Sequence, residues 1–138
     1  MPEGGRYEKM PRPESIQAFI KYVSSKPFVK DIEVLDTQIF EVKRENKSNI
    51  TVFLTNIYVV SQADVIDILT EYPNIDCIVT VSAWNKYAES AKIEAKENNI
   101  GLFKFKEFLG AVYYDGQEFI DYKPKARNAT ILSKRMVR

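Results

Sequence analysis

Apolar and polar positions in the first part of the chain follow the period of a helix. Four apolar residues lie at the spacing i, i+3, i+4, i+7: Ile16, Phe19, Ile20 and Val23. This spacing places them on one side of a helix and predicts an amphipathic helix over residues 14–24. Pro27 restricts the backbone of the residue before it, so we expect the helix to end ahead of this proline.

The pattern then changes to that of β-strands. Residues 28–35 and 38–44 are predicted to form a hairpin around Asp36-Thr37. The polar stretch RENKSN predicts a turn, and the segment ITVFLTN (50–56), rich in β-branched and aromatic residues, predicts a third strand. An antiparallel group of strands is therefore expected in this region.

After residue 60, the pattern predicts helices that alternate with strands. Ser61 and Asp64 have the spacing of a capping box at the start of a helix. The apolar run CIVTV (77–81) is typical of a central strand that is covered on both faces. A further helix is predicted over about 85–98 and a strand over 100–108. Right-handed crossovers would make these later strands parallel.

The segment YYDGQEFIDY (113–122) carries Asp115-Gly116 between apolar residues, which predicts a type I′ hairpin. The fold class expected from the whole order is α/β, a three-layer α/β/α mixed sheet with an appended C-terminal β-hairpin. The predicted parts of the chain are a flexible leader over 1–13, a single α/β domain over 14–122 and a basic C-terminal tail over 123–138.

The composition limits the chemistry of this 138-residue chain, whose length suits a single domain. It has no histidine, which excludes a Ser-His-Asp triad, a Cys-His pair and an imidazole metal site within the chain. Carboxylates, lysine, tyrosine or an oxygen-ligated metal such as Mg²⁺ remain. Cys77 is the only cysteine, so no disulfide forms within the chain and we expect a cytoplasmic protein. No apolar run approaches the roughly 20 residues that cross a bilayer, so no membrane partner is expected.

Charge is unevenly distributed along the chain. The net charge is +1, but the tail contains six basic residues and no acidic ones: Lys123, Lys125, Arg127, Lys134, Arg135 and Arg138. A basic tail on a mildly acidic body suggests an anionic partner, either nucleic acid or an acidic protein. The alternative is a solvated end that aids solubility.

The stretch FEVKREN contains the pair Glu41 and Lys43, separated by one apolar residue. Because side chains alternate along a strand, both groups should lie on one face. A carboxylate and an amine side by side have the residue types for metal-assisted hydrolysis. The alternative is a solvated strand face with modest cross-strand pairing.

Other candidate residues follow the predicted parallel strands, at the edge where open α/β sheets bind ligands. Polar residues there would either hold a phosphate or only cap helices: Thr55, Asn56, Ser61, Gln62, Ser82, Asn85 and Lys86. Four aromatic residues would either stack on bases or belong to the core: Trp84, Tyr87, Tyr113 and Tyr114. Four lysines would either form a basic rim or lie scattered on a solvated surface: Lys43, Lys86, Lys104 and Lys106.

The segment VTVSAWNKYAESAKIEAKENNIGLFKFKEFLGAV, with a buried strand, an aromatic residue and an alanine-lined helix, resembles the downstream half of Mrr-type restriction domains. With the preceding elements, the resemblance to the restriction-endonuclease-like, or PD-(D/E)xK, superfamily covers about residues 14–112. It implies that acidic residues hold Mg²⁺ and that a lysine orients or deprotonates the attacking water.

On this resemblance, Glu41 and Lys43 would be the catalytic pair and Glu41 would bind the metal. The partner acid would be Asp31 or Glu33 across the hairpin, or Asp36 reaching in from the turn, with Asp36 as the second metal ligand. In the family, the strand that carries this pair usually runs straight into the following helix. Phe53 and Thr55 occupy the corresponding positions in that alignment, and the site would then be lost.

The sequence thus leads us to expect a nucleic-acid-associated restriction-endonuclease-like domain with a degenerate site. Its Mg²⁺-dependent nuclease activity would be weak or lost. The partner would be nucleic acid, DNA in particular, or an acidic protein, and formation of a homodimer stays open. The alternative is a catalytically inactive protein-interaction or regulatory module on the same fold.

Overall fold

The computed structural model describes residues 9–124. The helices are α1 Pro13–Ser24, α2 Gln62–Glu71, α3 Glu89–Glu97, α4 Phe105–Ala111 and α5 Gly116–Ile120. The strands are β1 Val29–Val34, β2 Ile39–Arg44, β3 Ile50–Thr55, β4 Val59–Val60, β5 Cys77–Thr80, β6 Lys86–Tyr87 and β7 Gly101–Lys104.

Within the described residues, the main sheet has five strands in the order β1-β2-β3-β5-β7. β1, β2 and β3 are antiparallel neighbours, whereas β3, β5 and β7 are parallel. The predicted antiparallel hairpin followed by parallel strands is therefore confirmed. β4 and β6 form a separate two-stranded parallel sheet in which Val59 pairs with Lys86.

Helices cover both faces of the main sheet, so the described chain is a mixed α/β structure. On one face, α1, α4 and α5 pack over a core that includes Phe19, Phe108 and Phe119. On the other face, α2 and α3 pack over a core that includes Ile68 and Ala91. β5 lies between these two cores and is buried along its whole length, as its uniformly apolar sequence predicts.

Local signals determine where α2 begins. The Ser61 hydroxyl accepts a hydrogen bond from the Asp64 backbone N–H at 3.1 Å, and the Asp64 carboxylate accepts one from the Ser61 N–H at 2.9 Å. This reciprocal pair satisfies two N–H groups that the first helical turn leaves unpaired. The predicted capping box is confirmed.

The predicted C-terminal β-hairpin is wrong, because residues 116–120 form helix α5. Gly116 has the positive φ expected of a turn glycine, at 58°. The Asp115 carboxylate accepts a hydrogen bond from Arg44 at 2.9 Å instead of supporting a hairpin turn. The helix places Phe119 edge-on to Phe103, with ring centroids 5.2 Å apart. Burial of this aromatic ring outweighs the local turn preference.

Two predicted boundaries also differ. The strand expected over 100–108 ends at Lys104, whose backbone N–H donates to the Glu107 carboxylate at 2.9 Å as α4 begins. The helix expected from residue 85 begins at Glu89, since Lys86 and Tyr87 pair with β4. A local cap marks the first boundary, and a contact between segments distant in the chain decides the second.

Part of the predicted leader 1–13 and part of the predicted tail 123–138 are among the described residues. Pro11 is buried, and the Lys9 carbonyl accepts hydrogen bonds from the Asn56 N–H at 2.8 Å and the Thr55 hydroxyl at 2.9 Å. The later residues of the predicted leader 1–13 therefore contact the sheet. Of the six basic residues in the predicted tail, Lys123 is the one that the structure describes. Among residues 9–124, no helix combines the length and apolar character that crossing a membrane requires.

Candidate functional site

The predicted acid-and-lysine group lies on the β1–β2 hairpin. Glu41 is the cross-strand partner of Glu33, and Lys43 is the partner of Asp31. Glu41 and Lys43 are partly exposed, whereas Val42 between them is fully buried. The structure thus brings four of the proposed side chains to one face of the hairpin. This face is opposite the one on which Phe40 and Val42 are buried.

Lys43 is committed to an ion pair in this group. Its Nζ lies 2.9 Å from Glu33 Oε1, and both side chains remain substantially exposed. The hydrogen bond from Lys43 to Glu33, together with the negative charges of Glu33, Glu41 and Asp31, raises the pKa of Lys43. A lysine that acts as a base needs a lowered pKa, so this environment holds the amine in its charged form.

The proposed metal ligands, Glu41 and Asp36, do not form a metal site. Asp36 lies in the β1–β2 turn, where its Oδ1 accepts hydrogen bonds from the Thr37 N–H at 2.7 Å and hydroxyl at 3.1 Å. Glu41 lies further along β2, opposite Thr51. Across residues 9–124, no three Asp, Glu or Cys side chains are grouped so that they would hold a metal. Asp36 is therefore engaged in the turn, whereas Glu33 is the acid directly opposite Glu41, and we derive no hydrolytic step from this arrangement.

The alternative alignment, which uses β3, offers no chemistry either. Phe53 is buried against Tyr72, with ring centroids 5.3 Å apart. Thr55 is fully buried, and its hydroxyl donates to the Lys9 carbonyl. Both residues are structural.

The parallel strands end together at an edge that we call the carboxyl edge. Thr55, Thr80 and Lys104, the last residues of β3, β5 and β7, are paired in register there. We call the other end of these strands the amino edge. The chain leaves the carboxyl edge through loops after β3 and β5 and directly into α4 after β7, and this carboxyl edge is the usual place for a ligand site in open α/β sheets.

A buried polar network holds two of these loops in place. Asn85 is 3% exposed, and its side-chain amide donates to Asn56 Oδ1 at 3.0 Å and to the Thr80 hydroxyl at 2.9 Å. The Thr80 hydroxyl donates to the Ile57 carbonyl at 2.7 Å, and the Ser82 hydroxyl donates to Asn56. The polar residues predicted here as phosphate ligands therefore mainly fix the loops.

The loops present two exposed aromatic rings. Trp84 is 67% exposed in the turn that follows β5, where the Asn85 N–H donates to the Ser82 carbonyl. Tyr58, just before β4, is 59% exposed, and Lys86 Nζ lies 6.0 Å from its ring centroid. Large aromatic side chains usually bury their surface, so two exposed rings on fixed loops mark a surface that can bind a flat ligand.

Both edges of the sheet carry charged residues. Lys86, Lys104 and Lys106 are exposed at the carboxyl edge or in the first turn of α4 that follows it. At the amino edge, Asp76 precedes β5 and accepts a hydrogen bond from the Thr51 N–H at 2.7 Å. Partial shielding of its carboxylate from water raises the pKa of Asp76, and the nearby Asp115 and Glu41 charges add to this. The carboxyl edge thus offers three lysines to an anion, with the Glu107 carboxylate beside Lys104.

The other aromatic residues predicted to stack on bases have partners in the protein. The Tyr87 hydroxyl donates to the Glu107 carboxylate at 2.9 Å. Tyr113 packs on Phe28 at 4.9 Å between ring centroids, and Tyr114 packs on Tyr122 at 5.6 Å. Of the four predicted rings, Trp84 alone is more than half exposed in the described structure.

Sequence reasoning missed Tyr58 and Lys92. Tyr58 lies two residues after the predicted third strand, and its position beside a strand end was the available signal. Lys92 falls within a run of charged helical residues, so its pattern resembles that of a solvated face. In the structure it is only 7% exposed. Of the predicted basic tail residues, Lys123 lines a pocket with Lys92 and Lys96, and the others lie outside the described residues.

Comparison of the chain with protein-family models, curated proteins and solved structures finds no match. The class of the protein therefore rests on its own fold and surface.

Proposed function

We propose that this chain is a nucleic-acid-binding domain of the restriction-endonuclease-like class whose phosphodiesterase chemistry has been lost. The class is supported by the sequence resemblance and by the element order of a helix, three antiparallel strands and then alternating helices and strands. The single observation that carries the binding function is the pair of exposed rings, Trp84 and Tyr58, beside Lys86 at the carboxyl edge.

These residues suit a single strand with unpaired bases. A base stacked on an aromatic side chain contributes about 1–3 kcal/mol, largely independent of sequence. On this proposal, Lys86 beside the Tyr58 ring contacts a phosphate next to the stacked base, and Lys104 and Lys106 supply further positive charge. Single-stranded DNA is the first partner to test, with duplex DNA and single-stranded RNA as comparisons.

The proposed loss of catalysis is supported by the contacts of the predicted residues. Lys43 is paired with Glu33, and Glu41 and Asp36 are separated along the hairpin. Incubation of labelled oligonucleotide with the protein and Mg²⁺ tests this part of the proposal. Fragments that disappear in a Glu41→Ala variant would show that the hairpin retains hydrolytic activity.

Binding is tested by fluorescence anisotropy of a labelled single-stranded oligonucleotide at low salt. Trp84→Ala and Tyr58→Ala should each weaken binding roughly 5- to 100-fold, the range that corresponds to about 1–3 kcal/mol per stacked base. Tyr113→Ala is the matched control, because Tyr113 is also an exposed tyrosine beside a lysine, Lys26, with 4.9 Å between the amine and the ring centroid.

Tyr113 lies near the amino edge, next to residues that contact Arg44 at the end of β2. Its substitution should leave the affinity unchanged. If Trp84→Ala and Tyr58→Ala bind as well as Tyr113→Ala, the rings at the carboxyl edge are not the binding surface.

A second candidate function is protein interaction, and one cleft favours it. The cleft has a volume of about 670 Å³ between α2 and the β1–β2 turn, and it is lined by Phe53, Tyr72 and three acidic residues of α2. Those acidic residues are Asp64, Asp67 and Glu71. A partner segment rich in Lys or Arg with an apolar anchor would match this lining. Partners recovered in a pull-down after nuclease treatment, and lost on Asp67→Lys substitution, would support this function.

A further inference from the structure

A second pocket lies along the outer side of α3, away from the exposed rings. It has a volume of about 420 Å³. Its lining consists of three lysines, one tyrosine, one isoleucine and one glutamate: Lys92, Lys96, Lys123, Tyr87, Ile93 and Glu89. Three amines and a phenol around a small concave surface give it a positive character, with one acid at the start of α3.

Lys92 is the unusual member of this group, because an amine on a helix surface normally extends into water. Here the residue is only 7% exposed. Its Nζ donates to the Leu102 carbonyl at 2.6 Å and lies 4.5 Å from the centroid of the Phe103 ring and 5.4 Å from that of Tyr87. An ammonium group has three N–H donors, and the Leu102 bond uses one of them.

Burial lowers the pKa of Lys92 to about 8. Charged or titratable groups face this amine from several elements: Glu107 on α4, Lys96 on α3, Lys123 after α5, Cys77 on β5 and Tyr87 on β6. Glu107 favours the charged amine, whereas the two neighbouring lysines disfavour it. An anion bound between the three lysines would remove this mutual repulsion.

The two other lysines remain available for a ligand. Lys96 Nζ is 3.6 Å from Asp121 Oδ1, a long contact between side chains that are both more than 30% exposed, and such exposed pairs exchange partners at little cost. Lys123 is exposed at the mouth of the pocket. Lysine is a common partner for phosphate oxygens, which it contacts as a compact point charge.

We propose that this pocket is a binding site for a phosphate group, held by Lys92, Lys96 and Lys123. The phosphate has two chemical sources, a nucleic-acid strand or a free phosphorylated small molecule. The strand source rests on the function proposed above. Tyr87 lines the pocket and directly follows Lys86, so a strand that contacts Trp84 and Tyr58 reaches this pocket by continuing along α3.

The first experiment uses methyl phosphate as the probe and NMR of the whole chain as the readout. Titration should shift the backbone amide signals of residues 87–96 and Lys123 in a saturable way. The double variant Lys96→Ala/Lys123→Ala should weaken binding roughly tenfold or more, the loss expected for charge-assisted hydrogen bonds. A matched double variant, Lys30→Ala/Lys47→Ala, removes two exposed lysines outside the pocket and should bind as the unaltered chain does.

Binding should also depend on pH through Lys92. The protonated amine binds a dianion, so affinity should fall as the pH rises through about 8, while the methyl phosphate itself stays dianionic above about pH 7. In Lys92→Arg, the side chain stays charged throughout, and this fall should disappear. Signals that do not shift with methyl phosphate, or equal binding by both double variants, would overturn the proposal.

Oligonucleotide affinity then identifies the source of the phosphate. If Lys96→Ala/Lys123→Ala weakens strand binding while Trp84 still responds to the strand, the phosphate belongs to the nucleic acid. If methyl phosphate binds but the double variant leaves strand affinity unchanged, the source is a small molecule. A chain that binds methyl phosphate but no oligonucleotide would overturn the proposed function while keeping the phosphate site.

Discussion

Arg44 joins three parts of the chain through one buried guanidinium group. Its side chain is 1% exposed. It donates to the Ser48 carbonyl at 2.8 Å, to the Val112 carbonyl at 2.9 Å and to the Tyr114 carbonyl at 2.7 Å. It also forms an ion pair with Asp115 at 2.9 Å. A planar group with five N–H donors can satisfy this many acceptors at once, and lysine cannot.

Replacement of Arg44 with alanine should therefore destabilise the fold strongly. The change leaves three carbonyl groups without this donor and removes the ion pair of Asp115, and we expect a loss of about 3 kcal/mol in the free energy of unfolding. Urea denaturation followed by circular dichroism measures this loss. Lys43→Ala, which removes a neighbouring but exposed ion pair on the same strand, is the control and should change stability little.

An Arg44→Ala variant as stable as the Lys43→Ala variant would contradict this account of the β2 end.

The Asp115 carboxylate depends on the same contacts. Hydrogen bonds from Ser48 and the charge of Arg44 lower the pKa of Asp115. Its contribution to stability is present above the ordinary aspartate pKa and is lost as the pH falls through the lowered value.

The loop between β5 and β6 connects the buried network to the exposed surface. Asn85 is nearly inaccessible, yet it holds the turn that carries Trp84 and bridges to Asn56 on the neighbouring loop. β4 and β6 then pair in a short parallel ladder that fixes Tyr58 and Lys86 side by side, since the Lys86 N–H donates to the Tyr58 carbonyl at 2.8 Å. The proposed binding surface is therefore built by loops that are anchored on the sheet.

Asn85→Ala tests this positioning. Loss of its hydrogen bonds leaves Thr80 and Asn56 short of partners, which should cost about 1–3 kcal/mol of stability. The folded fraction should also bind single-stranded oligonucleotide more weakly, although the buried Asn85 side chain does not contact a ligand. Asn49→Ala, an exposed asparagine at the other end of the sheet, provides the control. Unchanged affinity in a folded Asn85→Ala variant would show that the turn geometry does not matter for binding.

Much of this element structure follows from local patterns. The amphipathic helix α1, the hairpin strands, the uniformly apolar β5 and the α2 cap each depend on neighbouring residues, and all were predictable. The boundary at Lys104 was not, because Phe103 and Phe105 fit a strand while Phe105, Phe108 and Leu109 fit a helix. The Glu107 cap at Lys104 and the packing of Phe108 against Phe19, at 5.6 Å between ring centroids, favour the helix.

The candidate site was predictable to a smaller extent. Trp84 and Lys86 were identified as candidates because they follow a predicted central strand. The pairing of Tyr58 with Lys86 depends on the β4–β6 ladder. Each of these strands has two residues, which is too short to show a strand pattern in the sequence. Lys92 is buried because it contacts Phe103 and Leu102 on β7. The pattern of residues along α3 does not show these contacts. Contacts of this kind require the three-dimensional structure.

At the scale of the whole molecule, the two edges of the sheet differ in the groups that they expose. The amino edge is closed by the Arg44 network and carries Asp76 and Asp115. The carboxyl edge carries exposed rings and lysines, and the positive pocket of α3 continues from it. A polyanion should approach the carboxyl edge, and its affinity should decrease with salt in proportion to the number of phosphates contacted.

Trp84 is the only tryptophan in the chain, so its fluorescence reports on the proposed binding surface directly. The decisive measurement is a titration of the unaltered protein with single-stranded DNA, followed by Trp84 emission at low and at moderate salt. We predict saturable quenching at low salt, as bases stack on the ring, and weaker binding as salt is added. Emission that stays constant at low salt, with the protein folded and the strand in excess, would contradict the account.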